Sequence, residues 1–128
     1  MIKKIIGEAI HEYGFEYRYS RDGYAHIYTF LRKKEDLEQR IWIDIEDTVT
    51  MGNVISMSFM TNAYGQKEVH ASNLIESDFK GDDERLVFED DEKLKQILYH
   101  LKEIILQKGF DILEEISKPT TEARPTKQ

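Results

Sequence analysis

The chain has 128 residues, enough for one domain with a hydrophobic core of its own. Its 25 acidic and 18 basic residues give a net charge of -7, which opposes binding to nucleic acid or to an anionic membrane surface. The absence of cysteine excludes disulfides, thiol nucleophiles and cysteine-based zinc sites, and it agrees with a cytoplasmic location. No run approaches the roughly 18 apolar residues that a membrane-spanning helix needs.

The first predicted element is an amphipathic helix that ends at Gly14. Its apolar residues recur at the i, i+3, i+4, i+7 spacing of one helical face. They are Ile2, Ile5, Ile6, Ala9, Ile10 and Tyr13. Gly14 can adopt the left-handed conformation of a helix C-cap, and Phe15 follows it in position for an apolar contact. The same pair recurs at Gly109 and Phe110, where it predicts the end of another helix.

Alternating apolar and polar residues across 15–60 predict a curled antiparallel sheet. Asp22 and Gly23 are typical of a tight hairpin turn between the first two strands. Residues 34–37 are expected to turn the chain into the third strand, and residues 54–60 to form the fourth. Residues that face each other across a hairpin lie on the same side of a sheet, so these turns define its two faces.

Cross-strand pairs follow from the two turns. The first turn predicts Phe15 opposite Phe30, Tyr17 opposite Tyr28 and Tyr19 opposite His26. The second predicts Phe30 opposite Ile41, Tyr28 opposite Ile43 and His26 opposite Ile45. We expect this shared face to be the core, joined by Ile55, Met57 and Phe59 of the fourth strand.

After the fourth strand the pattern weakens until a second amphipathic helix. Residues 68–72 and 86–88 are expected to form short strands, separated by an acidic loop at 78–84. Asp90 or Asp91 then caps the long C-terminal helix. Its apolar stripe is Leu94, Ile97, Leu98, Leu101, Ile104 and Ile105. After Gly109 one more short helical segment is expected.

The predicted architecture is a single α+β domain at residues 1–117. It consists of an N-terminal helix, an antiparallel β-meander of four or five strands, and a long C-terminal helix packed on one sheet face. Residues 118–128 lack apolar periodicity and contain two prolines, which predicts a disordered tail.

No catalytic, cofactor or metal motif is recognisable. The sequence has no nucleophile elbow, phosphate-binding glycine loop or dinucleotide fingerprint. Glu8 with His11, and His100 with Glu103, have the one-turn spacing of carboxylate–histidine metal ligands. They lie off the apolar stripes on two helices where such a site needs four, so we predict no metal and no cofactor.

Two surfaces are candidates for binding. Polar tips of Tyr17, Tyr19, His26 and Tyr28 lie on the predicted core face, where they could line a ligand cleft between the sheet and the C-terminal helix. The opposite face carries an apolar patch that we predict to bind a protein partner. Its residues are Ile27, Leu31, Arg40 and Trp42. An equally weighted alternative is that the last helical segment or residues 62–89 fold over this face.

The sequence therefore predicts a small cytoplasmic protein-binding module without catalytic activity. Trp and Arg dominate interface energetics, so we expect a homodimer formed through the face that carries Trp42. A further protein partner is expected, and neither nucleic acid nor membrane. The alternative function is a small-molecule sensor or enzyme that uses the Tyr/His cleft.

Overall fold

The structure, a computed structural model, describes residues 1–35, 37–48, 52–62, 68–70 and 86–117. A helical N-terminal segment, an antiparallel sheet and a long C-terminal helix follow one another, which confirms the predicted α+β class. The strands are β1 (Glu16–Asp22), β2 (Ala25–Lys34), β3 (Leu37–Thr48), β4 (Gly52–Thr61), β5 (Glu68–His70) and β6 (Leu86–Phe88). Their order in the sheet is β1-β2-β3-β4-β5. β5 pairs with one end of β4, and β6 pairs with the other end of the same strand.

The N-terminal helix changes its hydrogen-bonding pattern along its length. Lys3–Gly7 is π-helical, Glu8–Ile10 is α-helical and His11–Tyr13 is a 3-10 turn. Gly14 ends the helix with φ of 91°, and its N–H donates to the carbonyl oxygen of His11 at 3.0 Å. The predicted glycine C-cap is therefore confirmed.

Gly109 does not end the C-terminal helix, so that prediction was wrong. The helix runs through the α-helical Asp91–Ile104, a π-helical turn at Ile105–Gly109 and the α-helical Phe110–Ile116. Gly109 is right-handed, with φ -60° and ψ -42°. A Cβ atom there would lie 2.8 Å from Cε1 of the buried Phe59. The glycine therefore permits a close approach of helix and strand.

Asp90 caps the start of the C-terminal helix, one of the two residues predicted for that position. Its Oδ1 accepts a hydrogen bond of 2.8 Å from the backbone N–H of Lys93. Asp91 and Glu92 in the first turn add negative charge where the helix dipole favours it. The buried residues of this helical part are Ile97, Leu98, Leu101 and Ile104, which belong to the predicted stripe.

The first hairpin differs from its prediction by two residues. Asp22 pairs with Ala25, so the loop consists of Gly23, with φ of 62°, and Tyr24. The predicted partners of Phe15, Tyr17 and Tyr19 were therefore wrong. The observed pairs are Tyr17 with Phe30, Tyr19 with Tyr28 and Arg21 with His26. Because strand side chains alternate with a period of two, this slip leaves every side chain on its predicted face.

The register of β2 and β3 agrees with the prediction, and β4 directs Ile55, Met57 and Phe59 to the core face as predicted. Phe30 faces Ile41, Tyr28 faces Ile43 and His26 faces Ile45. On the next strand, Ile41 faces Phe59, Ile43 faces Met57 and Ile45 faces Ile55. Gly52 and Asn53 pair with Thr48 and Asp47, so they belong to β4 itself.

Both helices pack on the sheet face that these residues share. The core includes Ile6 and Ile10 of the N-terminal helix, Phe30, Ile41, Ile43 and Phe59 of the sheet, and Ile97, Leu101 and Ile105 of the C-terminal helix. Tyr17 and Tyr28 pack against this core while partly buried. Tyr19 does not belong to it and is 48% exposed, so its predicted burial was wrong. It lies beyond Tyr17 toward the hairpin loop, past the residues that the helices cover.

Predictions for the remaining segments have mixed outcomes. Strands at Glu68–His70 and Leu86–Phe88 confirm two short strands. The acidic loop at 78–84 and the tail at 118–128 lie outside the described residues, as does most of the predicted turn at 62–65. A domain boundary at residue 117 stays a prediction.

The close approach of Gly109 to Phe59 predicts that a methyl group added at Gly109 lowers the stability of the fold. Gly109→Ala should lower the free energy of unfolding by about 1–3 kcal/mol, because the fully buried ring cannot move aside without disturbing its neighbours. Urea denaturation measures the change. Gly7→Ala is the matched control: its Cβ would meet Phe30 at 3.3 Å, so the effect should stay within about 1 kcal/mol. Equal stability of Gly109→Ala and wild type would contradict the close approach.

Candidate functional site

The sheet face opposite the helices carries Trp42 near the middle of β3. Its direct cross-strand neighbours are Thr29 on β2 and Ser58 on β4. The predicted partner-binding residues all lie on this face: Ile27, Leu31, Arg40 and Trp42. None of them belongs to the core cluster under the helices. The structure thus brings these residues together on the side on which they were predicted.

An ion pair holds Arg40 beside Trp42. Arg40 Nε donates to Oε1 of Glu38 at 2.6 Å, and Nη2 contacts the same carboxylate oxygen. Glu38 is fixed in turn, since its backbone N–H donates to Oδ1 of Asn62 at 2.8 Å. The Arg40 side chain remains 43% exposed. This arrangement fixes the guanidinium on the sheet face that carries the indole, so Arg40 loses less side-chain freedom on binding than a mobile arginine would.

Burial is uneven across this face. Leu31 is 5% exposed, Val54 is fully buried and Ser58 is 5% exposed, although all three point away from the helices. The chain itself therefore shields part of the face. Ile27 and Trp42 are only half-buried. The accessible part of the patch thus lies over β2 and β3 around the indole.

The predicted ligand-binding residues form a cluster on the helix-facing side. The hydroxyl of Tyr19 lies 2.7 Å from Nδ1 of His26. The centroid of the Tyr19 ring is 5.1 Å from the centroid of the Tyr28 ring. The Tyr17 ring lies 5.5 Å from that of Phe30. The Tyr19 hydroxyl and the His26 ring therefore already satisfy each other within the sheet.

Two hydroxyls of this cluster, those of Tyr17 and Tyr28, have raised pKa values. Burial raises the pKa of Tyr17, and the neighbouring Tyr19 hydroxyl raises it further. Burial also raises the pKa of Tyr28, with smaller contributions from Tyr19 and Tyr17. Both phenols are therefore neutral near pH 7 and can donate hydrogen bonds, while neither is available as an anionic base.

A cleft of about 710 Å³ lies between the N-terminal helix and the start of β1. Tyr17 and Phe30 line it from the sheet, and Lys3 and Gly7 line it from the helix. The Lys3 ammonium lies 5.6 Å from the centroid of the Tyr17 ring. The predicted ligand cleft was placed beside the C-terminal helix, whereas this one is bordered by the N-terminal helix and includes only Tyr17 of the predicted ligand residues.

Sequence reasoning missed a buried polar network at the other end of β2 and β3. Gln39 is fully buried, and its Oε1 accepts hydrogen bonds from Arg32 Nε at 3.0 Å and Nη2 at 2.6 Å. Its Nε2 donates to Oε2 of Glu114 at 3.0 Å and to Ser117 Oγ at 3.1 Å. Arg32 also donates from Nη1 to the Tyr13 carbonyl oxygen at 3.1 Å. The network joins both helices to the sheet.

Within the part of the chain that the structure describes, no group of three or more His, Asp or Glu side chains is placed to hold a metal ion. Among those residues, no helix is both long enough and apolar enough to cross a membrane.

Comparison with known proteins identifies no relative of this chain. No protein-family model matches the chain, and neither a curated protein nor a solved structure matches it. Its function must therefore be inferred from its own surfaces.

The Gln39 network predicts a pH-dependent contribution to stability. The hydrogen bond from Gln39 is the main cause that lowers the pKa of Glu114 below its ordinary value of 4.5, and Lys34 and Arg32 lower it further. The ionised carboxylate is the stabilising form. Its contribution is complete above pH 4.5 and is lost as the pH falls through the lower folded value.

Glu114→Gln should therefore be less stable than wild type near pH 7, and the difference should shrink as the solution is acidified below pH 4.5. Thermal unfolding across an acidic pH series measures this. Glu103→Gln changes an exposed carboxylate on the same helix and serves as the control. A wild-type advantage over Glu114→Gln that does not vary with pH would contradict the assignment.

Proposed function

We propose that this chain is a small cytoplasmic protein-binding module that self-associates through its Trp42 face and has no catalytic role. The observation that carries the proposal is a half-buried tryptophan beside a fixed arginine, on the sheet face that neither helix covers. Tryptophan and arginine are enriched among the few residues that dominate the binding energy of protein interfaces. The absence of cysteine supports a reducing compartment.

Charge along β3 supports a symmetric contact. Arg40 and Asp44 lie two residues on either side of Trp42 and share its face. A twofold axis through Trp42, with the two β3 strands antiparallel, would bring Arg40 of each copy toward Asp44 of the other. It would also bring Glu38 toward Glu46, a like-charge approach that the ion pair of each Glu38 with its own Arg40 offsets in part. Isologous dimers need this kind of self-complementarity.

Partial shielding of the face limits the strength of the contact. Val54 and Ser58 are already buried by the chain, so the docking area is confined mainly to β2 and β3. Stable dimers bury roughly 800 Å² on each partner. We therefore expect a reversible monomer–dimer equilibrium, with a dissociation constant in about the micromolar range.

The alternative, a small-molecule sensor or enzyme at the Tyr/His cluster, has weaker support. Tyr19 and His26 are paired with each other, and the raised pKa values of Tyr17 and Tyr28 disfavour phenolate chemistry near pH 7. The cluster supplies hydrogen-bond donors and flat apolar surface, which suit binding better than catalysis.

Sedimentation velocity over a concentration series tests the dimer. Wild type should shift from monomer to dimer as its concentration rises, and Trp42→Ala should weaken the association by about tenfold or more. Tyr99→Ala removes an exposed aromatic from the C-terminal helix and should leave the association unchanged.

Arg40→Ala provides a second variant in case Trp42→Ala perturbs folding, which circular dichroism would reveal. It should weaken the dimer while leaving the core intact, because Arg40 lies outside the core cluster. A wild type that stays monomeric at high concentration, or a dimer unaffected by both substitutions, would contradict the proposed contact.

A further inference from the structure

The two lateral edges of the sheet differ in length. The outer positions beside β4 are filled by β5 and β6, which have three residues each. The other edge is β1, a strand of seven residues that pairs only with β2 among the described residues. Every second residue of an antiparallel edge strand directs its N–H and C=O away from its partner. The outer side of β1 therefore presents a row of unpaired backbone groups.

β1 lacks several features that commonly block an exposed edge. All seven residues pair with β2 in unbroken register, so no bulge bends the strand away. The strand contains no proline, and six of its residues are exposed while Tyr17 is half-buried. Four of the exposed residues are charged, Glu16, Arg18, Arg21 and Asp22, so the edge favours an added strand of complementary charge over an unselective one. This edge is thus regular, accessible and able to accept another strand.

The cleft under the N-terminal helix lies directly beside the start of this edge. Phe15, Glu16 and Tyr17 line it from the chain at β1, and Phe30 lines it from the neighbouring strand. A strand added to β1 would direct alternate side chains to the helix side of the sheet, where one residue could enter the cleft. Lys3 and Lys4 also line the cleft, and so do Glu8 and Glu16, so the charges at its margin are of both signs and the apolar walls select the side chain.

We propose that β1 binds an extended peptide segment of a protein partner by strand addition, with one apolar side chain of the peptide in the cleft between the N-terminal helix and Tyr17. Backbone hydrogen bonds supply affinity in this mode, and the cleft selects the side chain. The inference rests on the proposed protein-binding role but does not depend on the Trp42 contact, which lies on the opposite face.

A second copy of β1 fits this edge less well than a peptide. Full-length antiparallel pairing of two β1 strands, with the helices of both copies on the same side, places Glu16 opposite Asp22 at both ends. Like charges that face each other across strands are destabilising. A peptide with its own sequence is free of this restriction.

Selection from a random library of displayed linear peptides tests the inference, with the full-length protein as target. Selected peptides should carry alternating apolar residues and should bind in a fluorescence polarisation assay. Tyr17→Ala should weaken this binding by about tenfold, because the cleft loses a wall. Lys33→Glu alters an exposed charge on β2, outside the cleft lining, and should have little effect.

Amide hydrogen exchange identifies the binding mode without any substitution. A bound peptide should slow exchange at alternate residues of β1, those whose N–H groups point outward. Three outcomes would overturn the inference: no selected peptide, a selected peptide that leaves β1 exchange unchanged, or concentration-dependent protection of β1 without peptide, which would show a second copy on this edge. Trp42→Ala should retain peptide binding, so failure of the dimer and failure of the peptide site are distinguishable.

Discussion

The turn between β2 and β3 is the constraint on which the rest of the structure depends. Lys34 pairs with Leu37 across it, and Glu35 adopts a left-handed φ of 57° that is uncommon for a residue with a side chain. This turn directs Ile41 and Ile43 toward the helices and Trp42 away from them. One additional residue in the loop would reverse all of β3 and exchange the core with the proposed docking surface.

Much of the fold could be predicted because hydrophobic periodicity determines on which sheet face a side chain lies more firmly than it determines which cross-strand residue it pairs with. The Asp22–Gly23 signal gave the wrong loop, yet the error of two residues moved no side chain between faces. At Gly109 the local sequence pattern predicted the wrong structure. Its local sequence resembles that of Gly14, but the contact with Phe59 arises only in the folded chain, where a strand brings that ring against the helix.

The sequence indicates which residues share each candidate surface, but not how the folded chain packs around them. Alternation placed Trp42 and Arg40 on one face, together with Glu38, the local ion-pair partner of Arg40, whereas the burial of Val54 depends on tertiary packing. Gln39 lies at an inward position of β3, which could have marked it as a polar core residue. Its partners on the C-terminal helix are more than seventy residues away, so no local pattern indicates them.

The fluorescence of Trp42 tests the central claim most directly, because it is the single tryptophan of the chain. The partly exposed indole of the monomer should become shielded when two copies associate. Raising the protein concentration through the association range should therefore shift its emission to shorter wavelength and reduce quenching by acrylamide. Emission and quenching that stay constant while sedimentation shows a dimer would place the contact elsewhere and contradict this account.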